Sequence, residues 1–294
     1  MAEKFTFKQF KEQYPNDDAC LHSILIRKYG KDEVCPNCGV VGKLSKIEGR
    51  RAYACKEGCH IYPCAGTIFE KSSTPLSLWF HAMYLMTATR NGVSAKELER
   101  QLGVTYKCAW RIGHQIRELM AARDAAINPG PLSGHVELDE TYVGGKRKGK
   151  GKMGKKDHRT IVMGALERDG AVKATIVPNV QRATLLPIVQ ATVKNGSIVS
   201  TDELSSYRTL AQYGYTHGTV DHGDGEYVSG IFHTNGIEGF WSHLKRGIRS
   251  THAAVSPKYL ARYVNEFAFR YNNRKTPAEM FNRMLKQVSN STSS

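Results

Sequence analysis

The stretch Val136-Glu-Leu-Asp-Glu140 decides the fold, because here a run of alternating apolar and acidic residues ends on carboxylates. Such alternation predicts a β-strand with two chemically different faces. Two apolar runs follow at Thr160–Leu166 (TIVMGAL) and Ala171–Val177 (AVKATIV). The intervening Glu167-Arg-Asp-Gly170 is typical of a hairpin turn, so we expect these two runs to pair.

The rest of the second half alternates between helical and strand patterns. A strand is predicted at Ser197–Thr201, and helices are predicted at Arg182–Val193, Leu204–Gln212, Thr234–Ile248 and Pro257–Arg274. The order strand, strand, strand, helix, strand, helix, helix, helix predicts an α/β domain, a mixed sheet flanked by helices.

The chain has 294 residues and a formal net charge of +15, which favours a polyanionic partner. The loop 145–159 holds eight Lys or Arg residues and one acid, and its Gly/Lys alternation predicts contact with phosphates. The candidate DNA contacts there are Lys146, Arg147, Lys148 and Lys150. No stretch is apolar enough to span a membrane and no secretory signal is visible, so we expect a cytoplasmic protein.

The cysteines of the first half predict a metal site. Cys35-Pro-Asn-Cys38-Gly39 is a metal-binding knuckle, and Cys55 and Cys59 follow after a β-like stretch. Two such pairs predict a zinc ribbon with one structural Zn²⁺ and four cysteine ligands. The second pair is irregular, so His60 and Cys64 remain alternatives to Cys59 as the fourth ligand.

A helix-turn-helix is predicted between the ribbon and the sheet. Ser94 begins a helix to Leu102, Gly103 makes the turn, and a second helix runs to about Arg123. The exposed early turns of the second helix suit a major groove, and the candidate contacts are Tyr106, Lys107 and Arg111.

Three acids predict a second metal centre. Asp139 ends the first strand, Asp202 follows the strand 197–201, and Glu238 lies in the helix 234–248. Carboxylates at strand ends and on a nearby helix can bind two Mg²⁺ or Mn²⁺ ions, the arrangement that catalyses phosphoryl displacement. Glu137 shares the strand face of Asp139 and is a candidate accessory acid, whereas Glu140 should point to the opposite face.

The helix that carries Glu238 also carries basic residues. Lys245 is two helical turns beyond Glu238, on a face that it shares with Arg249, so it can reach a phosphate beside the acids. Arg246 and Arg249 are further candidate DNA contacts. Asn235, one turn before Glu238, is a candidate metal or phosphate ligand or a helix cap. Phe240 and Trp241 are predicted to belong to the core.

The chain resembles the bacterial insertion-sequence transposases of the ISXO type, which join an N-terminal zinc ribbon to a DDE domain of the RNase H-like, integrase type. The motifs that carry the resemblance are Cys35-Pro-Asn-Cys38-Gly39, Ala65-Gly-Thr-Ile-Phe69, Pro75-Leu76, Leu138-Asp-Glu-Thr-Tyr-Val-Gly-Gly145, Ser200-Thr-Asp202 and His233-Thr-Asn-Gly-Ile-Glu-Gly-Phe-Trp241 with Lys245. The resemblance implies Asp139, Asp202 and Glu238 as the catalytic triad and Lys245 as its basic partner. Some relatives have Asn as the third residue, which keeps Asn235 as a rival or partner of Glu238.

The resemblance implies a transposase that binds terminal inverted repeats and target DNA as a dimer or larger multimer. We expect four regions: a helical lead and zinc ribbon (1–75), a helix-turn-helix (76–127), an RNase H-like domain (128–286) and a disordered tail (287–294). The expected location is the bacterial nucleoid. The alternatives are a catalytically silent DNA-binding regulator, a stand-alone RNase H-like nuclease and a zinc-dependent hydrolase, the last disfavoured because no H-E-x-x-H motif is present.

Overall fold

The computed structural model describes residues 5–30, 33–144, 159–220 and 230–288. The chain forms two compact units, Met1–Arg123 with Lys275–Ser294, and Asp124–Arg274. The three regions predicted from sequence, 1–75, 76–127 and 128–286, do not coincide with these two units and remain a prediction. The chief difference is that the chain returns to the first unit at Lys275. Gln287 and Val288 of the predicted tail are buried in the last helix, whereas residues 289–294 lie outside the described part.

The first unit combines helices with a small antiparallel sheet. Its helices are α1 (Phe7–Gln13), α2 (Asp17–Tyr29), α3 (Leu76–Ala88), α4 (Ala95–Leu102) and most of α5 (Tyr106–Ile127), and its strands are β1 (Ser45–Lys46), β2 (Tyr53–Ala54) and β3 (His60–Ile61). The last helix, α9 (Met280–Val288), packs Phe281 against Tyr14 and Phe80 of this unit. No helix in the described ranges has the length and hydrophobicity needed to cross a membrane.

The predicted helix-turn-helix is present in the first unit. Ser94 Oγ caps α4 by accepting a hydrogen bond of 3.1 Å from the Glu97 N–H. The Glu97 side chain binds Arg100 and Gln101 of the same helix. Gly103 ends α4 with φ +64, a left-handed conformation that favours glycine.

The second unit is built on a five-stranded sheet. Its strands are β4 (His135–Val143), β5 (Thr160–Glu167), β6 (Val172–Val177), β7 (Ile198–Thr201) and β8 (Thr216–Thr219). Their order is β6-β5-β4-β7-β8, with the β6-β5-β4 pairs antiparallel and the β4-β7-β8 pairs parallel. The predicted α/β class with a mixed sheet is confirmed, and β4 lies at the centre of that sheet.

Helices cover both faces of this sheet. On one face Leu138 of β4 packs in a cluster with Leu185 of α6 (Arg182–Thr192). On the other face Val162 of β5 packs with Ile237 of α7 (Asn235–Gly247) and Phe267 of α8 (Leu260–Asn272). The alternation along β4 therefore sends successive side chains into two different layers.

Two segments differ from expectation. Residues 204–212 were predicted as one helix but form two short 3-10 turns, Ser205–Tyr207 and Leu210–Tyr213. Their apolar residues Tyr207 and Leu210 are buried under the sheet, and this spacing of three suits a tight turn as well as a helix. The edge strand β8 was not predicted, because its sequence THGT has no apolar alternation.

Gly164 of β5 gives the first testable prediction. A Cβ at this position would lie 2.5 Å from the Trp241 ring and 2.9 Å from Ile237, so Gly164→Ala overpacks the contact between β5 and α7. We expect the second unit to lose about 1–3 kcal/mol of unfolding free energy, measured by denaturant titration. Gly239→Ala is the matched control, because a Cβ there meets nothing within 4 Å; equal stability of both variants would contradict the described packing.

Candidate functional site

The four predicted zinc ligands come together in the first unit. The thiols of Cys35, Cys38, Cys55 and Cys59 all lie within 4.8 Å of one another. Within the described ranges this is the only group of three or more Cys, His, Asp or Glu side chains able to hold a metal in this way. His60 and Cys64 are not members of it, so the geometry favours Cys59 as the fourth ligand.

The knuckle backbone donates hydrogen bonds to the Cys35 thiol. Burial acts to raise the pKa of Cys35, but hydrogen bonds from the backbone N–H groups of Cys38 and Asn37 and from the Cys38 and Cys55 thiols together lower it to about 7. Gly39 has φ +72, a left-handed conformation that favours glycine and allows the tight turn after Cys38. The neighbouring thiols raise the pKa of Cys59 to about 12 and burial raises that of Cys64 to about 11, so the choice between them rests on the distances between the thiols.

Asp139 lies in the middle of β4, not at its end as predicted, on the face that α7 covers. Its Oδ2 accepts a hydrogen bond of 3.0 Å from Trp241 Nε1, and its Oδ1 accepts one of 2.8 Å from the Glu140 N–H. Trp241 is buried, as predicted. The sequence did not predict its hydrogen bond to Asp139. The contact depends on the strand register that places Gly164 opposite Asp139 and leaves room for the indole.

The three predicted acids share one electrostatic environment. Burial, followed by the negative charges of Asp202 and Glu238, raises the pKa of Asp139 to about 7. Asp202 Oδ1 accepts a hydrogen bond of 3.1 Å from the Leu204 N–H just beyond β7. The sheet therefore brings together carboxylates that are far apart in sequence, although more loosely than the four thiols.

Glu238 and Asn235 both begin α7 and both are exposed. Glu238 Oε1 accepts a hydrogen bond of 3.0 Å from Thr234 Oγ1 at the start of the helix. The charge of Glu238 acts on Asp139, and the neutral Asn235 on the same helical turn remains its rival as the third residue.

The neighbouring acids of β4 have other surroundings. Glu140 points to the opposite face, as predicted, where its carboxylate accepts a hydrogen bond from the Tyr207 hydroxyl. Burial and the charges of Asp139 and Asp202 raise the pKa of Glu140 to about 8. Glu137 shares the face of Asp139 but is only 1% exposed and pairs with Arg168 at 2.9 Å, so it is a poor candidate for an accessory metal ligand.

A basic face extends from the acids along α7. Lys245, Arg246 and Arg249 are exposed and, with Ser242, line an open cleft of about 550 Å³. Arg249 belongs to a π-helical turn, Ile248–His252, that follows α7. The predicted DNA contacts Lys146, Arg147, Lys148 and Lys150 lie outside the described residues.

The helix-turn-helix presents the three predicted contacts on its surface. Tyr106 is 46% exposed, and Lys107 and Arg111 are exposed as well. The Lys96 ammonium lies 5.0 Å from the Tyr106 ring centroid, and the Arg111 guanidinium lies 5.7 Å from that of Trp79. Aromatic rings therefore support cations on this surface.

Two family models match the chain. The ISXO2-like transposase domain matches residues 131–272, and the transposase zinc-ribbon domain matches residues 15–61. The first match contains Asp139, Asp202 and Glu238, and the second contains the four cysteines of the ribbon.

Two relatives support the same assignment. A protein described as an uncharacterized transposase-like protein of Haemophilus influenzae is 34% identical over 117 residues, which are 40% of this chain and 92% of the relative. An uncharacterized protein in transposable element ISH50 of Halobacterium salinarum is 28% identical over 265 residues, 83% of this chain and 87% of the relative. The crystal structure of the Mos1 strand transfer complex aligns with 73% of this chain and 78% of its own at 12% identity and a TM-score of 0.31, so the assignment rests on the sequence matches. On those matches, the chain belongs to the transposases that combine a zinc-ribbon domain with an ISXO2-like transposase domain.

Proposed function

We propose that this chain is the DNA transposase of an insertion sequence, and that it cuts the ends of the element and joins them to target DNA. The observation that carries the proposal is the electrostatic coupling of Asp139, Asp202 and Glu238 in a member of a transposase family. A silent DNA-binding regulator has no need for two acids, Asp202 and Glu238, whose charges raise the pKa of a third, Asp139, on the central strand of the sheet.

The donor set fits a pair of divalent cations. Burial and mutual repulsion disfavour ionised carboxylates at this place, and cations would compensate that cost. Carboxylate oxygens are the ligands that Mg²⁺ and Mn²⁺ prefer, so Asp139, Asp202 and Glu238 would hold two such ions. When bound, the ions would supply an activated oxygen nucleophile and neutralise the charge that develops on the leaving oxygen.

The reaction is a pair of phosphoryl displacements. First the oxygen of water bonds to the phosphorus at the end of the element, and the bond from phosphorus to the 3′ oxygen breaks and leaves a free 3′-OH. That hydroxyl then attacks a phosphorus of the target and displaces a second 3′ oxygen, which takes up the hydroxyl proton. The first step hydrolyses one phosphodiester bond, and the second step forms one bond for the one that it breaks. Trp241 orients Asp139, and Lys245 and Arg249 bind the flanking phosphates as fixed cations.

The first unit would recognise the ends. One Zn²⁺ held by Cys35, Cys38, Cys55 and Cys59 would stabilise the ribbon, and α5 would present its exposed face to the terminal inverted repeats. Two ends must be joined together, so we infer at least a dimer on DNA. A protein with this activity works at the chromosome, which places it at the bacterial nucleoid.

The proposal is tested with duplex DNA that carries the inverted repeat flanking the gene. We expect strand cleavage and joining with Mg²⁺ and neither with EDTA. Specific binding without cleavage at any Mg²⁺ or Mn²⁺ concentration would instead support the regulator, and cleavage without joining would support the nuclease.

The identity of the third residue gives another prediction. Because the Glu238 charge acts on Asp139, Glu238→Gln should lower the cleavage rate at least about a hundredfold, equivalent to about 2.7 kcal/mol of transition-state stabilisation. Asn235→Ala, a matched change on the same helical turn, should change the rate by less than about threefold. Rates from single-turnover cleavage decide the matter, and the reverse order would identify Asn235 as the third residue.

A further inference from the structure

Glu137 occupies the centre of a polar network under the first turn of α7. Its Oε1 lies 2.9 Å from Arg168 Nε and 3.2 Å from His233 Nδ1, and its Oε2 accepts a hydrogen bond of 2.9 Å from the Ile237 N–H. This carboxylate therefore connects the central strand to the beginning of the helix that carries Glu238.

Arg168 fastens the chain segment that leads into α7. Its Nη1 donates to the carbonyl of Ile231 at 2.8 Å, and its Nη2 donates to that of His233 at 3.0 Å. Nη1 also lies 2.9 Å from His135 Nδ1, and Nε reaches Glu137. One guanidinium thus binds two strand side chains and two carbonyls. Its planar group of N–H donors can reach all four at once, whereas the single ammonium of a lysine cannot.

Gly236 allows the helix to approach this closely. A Cβ at Gly236 would lie 2.8 Å from Glu137 Oε2, nearer than a side chain tolerates. The backbone at the start of α7 is therefore in contact with the Glu137 carboxylate, and the positive end of the α7 dipole faces the negative charge of Glu137.

We propose that Glu137 and Arg168 are positioning residues, which fix the rotation and height of α7 so that Glu238 faces Asp139. Ile237, whose N–H binds Glu137, is the residue before Glu238, so loss of that bond frees the acid to turn away. This inference rests on the proposed function, because it assumes that Glu238 and Asp139 share a metal site.

The test measures binding of Mn²⁺ to the full-length, zinc-loaded chain, from the paramagnetic resonance signal of free Mn²⁺. Arg168→Lys keeps the positive charge but loses the planar set of N–H donors. Glu137→Gln keeps the shape of the side chain but loses its negative charge. We expect each to raise the Kd for Mn²⁺ about tenfold, with unchanged zinc content, as is usual when a residue that orients a ligand is altered. Arg274→Lys is the matched control, because Arg274 binds the carbonyl of Gly170 on the same hairpin without touching Glu137, and its Kd should equal that of wild type.

The outcomes separate the inference from the proposed function. A wild-type Kd in both variants, even with a lower melting temperature, would mean a merely structural network and overturn the inference alone. Complete loss of binding in Glu137→Gln, as in Asp139→Asn, with a normal Arg168→Lys would make Glu137 a ligand and also overturn it. Absence of Mn²⁺ binding in wild type would overturn both.

Discussion

Asp139→Asn should abolish cleavage and joining of element ends while leaving end binding intact. The substitution removes the charge from the central acid but keeps its shape, and the amide oxygen still accepts a hydrogen bond from either Trp241 or the Glu140 N–H, while the other donor loses its acceptor. Loss of one ligand from a site that supplies several kcal/mol of charge stabilisation should slow the reaction at least about a thousandfold. Cleavage and strand transfer are followed on labelled end DNA, and binding is followed by mobility shift.

Asp169→Asn is the control for this experiment. Asp169 lies in the exposed turn between β5 and β6 with φ +58, a conformation that Asn also tolerates. The Asp169→Asn variant should cleave element ends at the wild-type rate. Strand transfer at the wild-type rate by Asp139→Asn would exclude Asp139, Asp202 and Glu238 as the catalytic centre.

Cys59→Ser should release the zinc and unfold the ribbon. A sheet of three two-residue strands buries too little surface to fold alone, so metal binding supplies most of the folding free energy, about 10 kcal/mol or more in comparable small sites. We expect less than about a tenth of the wild-type zinc content and loss of specific end binding. Zinc is measured by elemental analysis of the purified chain, and binding is measured by mobility shift.

Cys64→Ser separates the ligand from its neighbour. Cys64 is buried beside the ribbon but outside the group of four thiols, so its substitution should leave the zinc content unchanged. Zinc loss from Cys64→Ser with retention in Cys59→Ser would assign the fourth position to Cys64.

Features of the fold that depend on local pattern were predictable from sequence. The hairpin of β5 and β6 follows from two apolar runs around a Gly turn, and α7 follows from its helical periodicity. The ribbon follows from the spacing of cysteines, which a metal site fixes independently of any core. In each case a short stretch of sequence contains the whole signal.

Features that depend on register were not predictable. The bond from Trp241 to Asp139 requires Gly164 opposite the acid, and nothing local marks that glycine as its partner. The pairing of Glu137 with Arg168 was missed for the same reason, because Arg168 lies 31 residues away in the turn that follows β5. Strand β8 was missed because tertiary pairing with β7, and not its own composition, makes it a strand.

The most direct test of the central claim is anomalous diffraction at the manganese edge from crystals of the full chain with end DNA. The acids are predicted to bind the ions together, so peaks should lie in contact with carboxylate oxygens of Asp139, Asp202 and Glu238. Manganese bound elsewhere on the chain, or bound to Asp139 and Asp202 with Asn235 in place of Glu238, would contradict the proposed site.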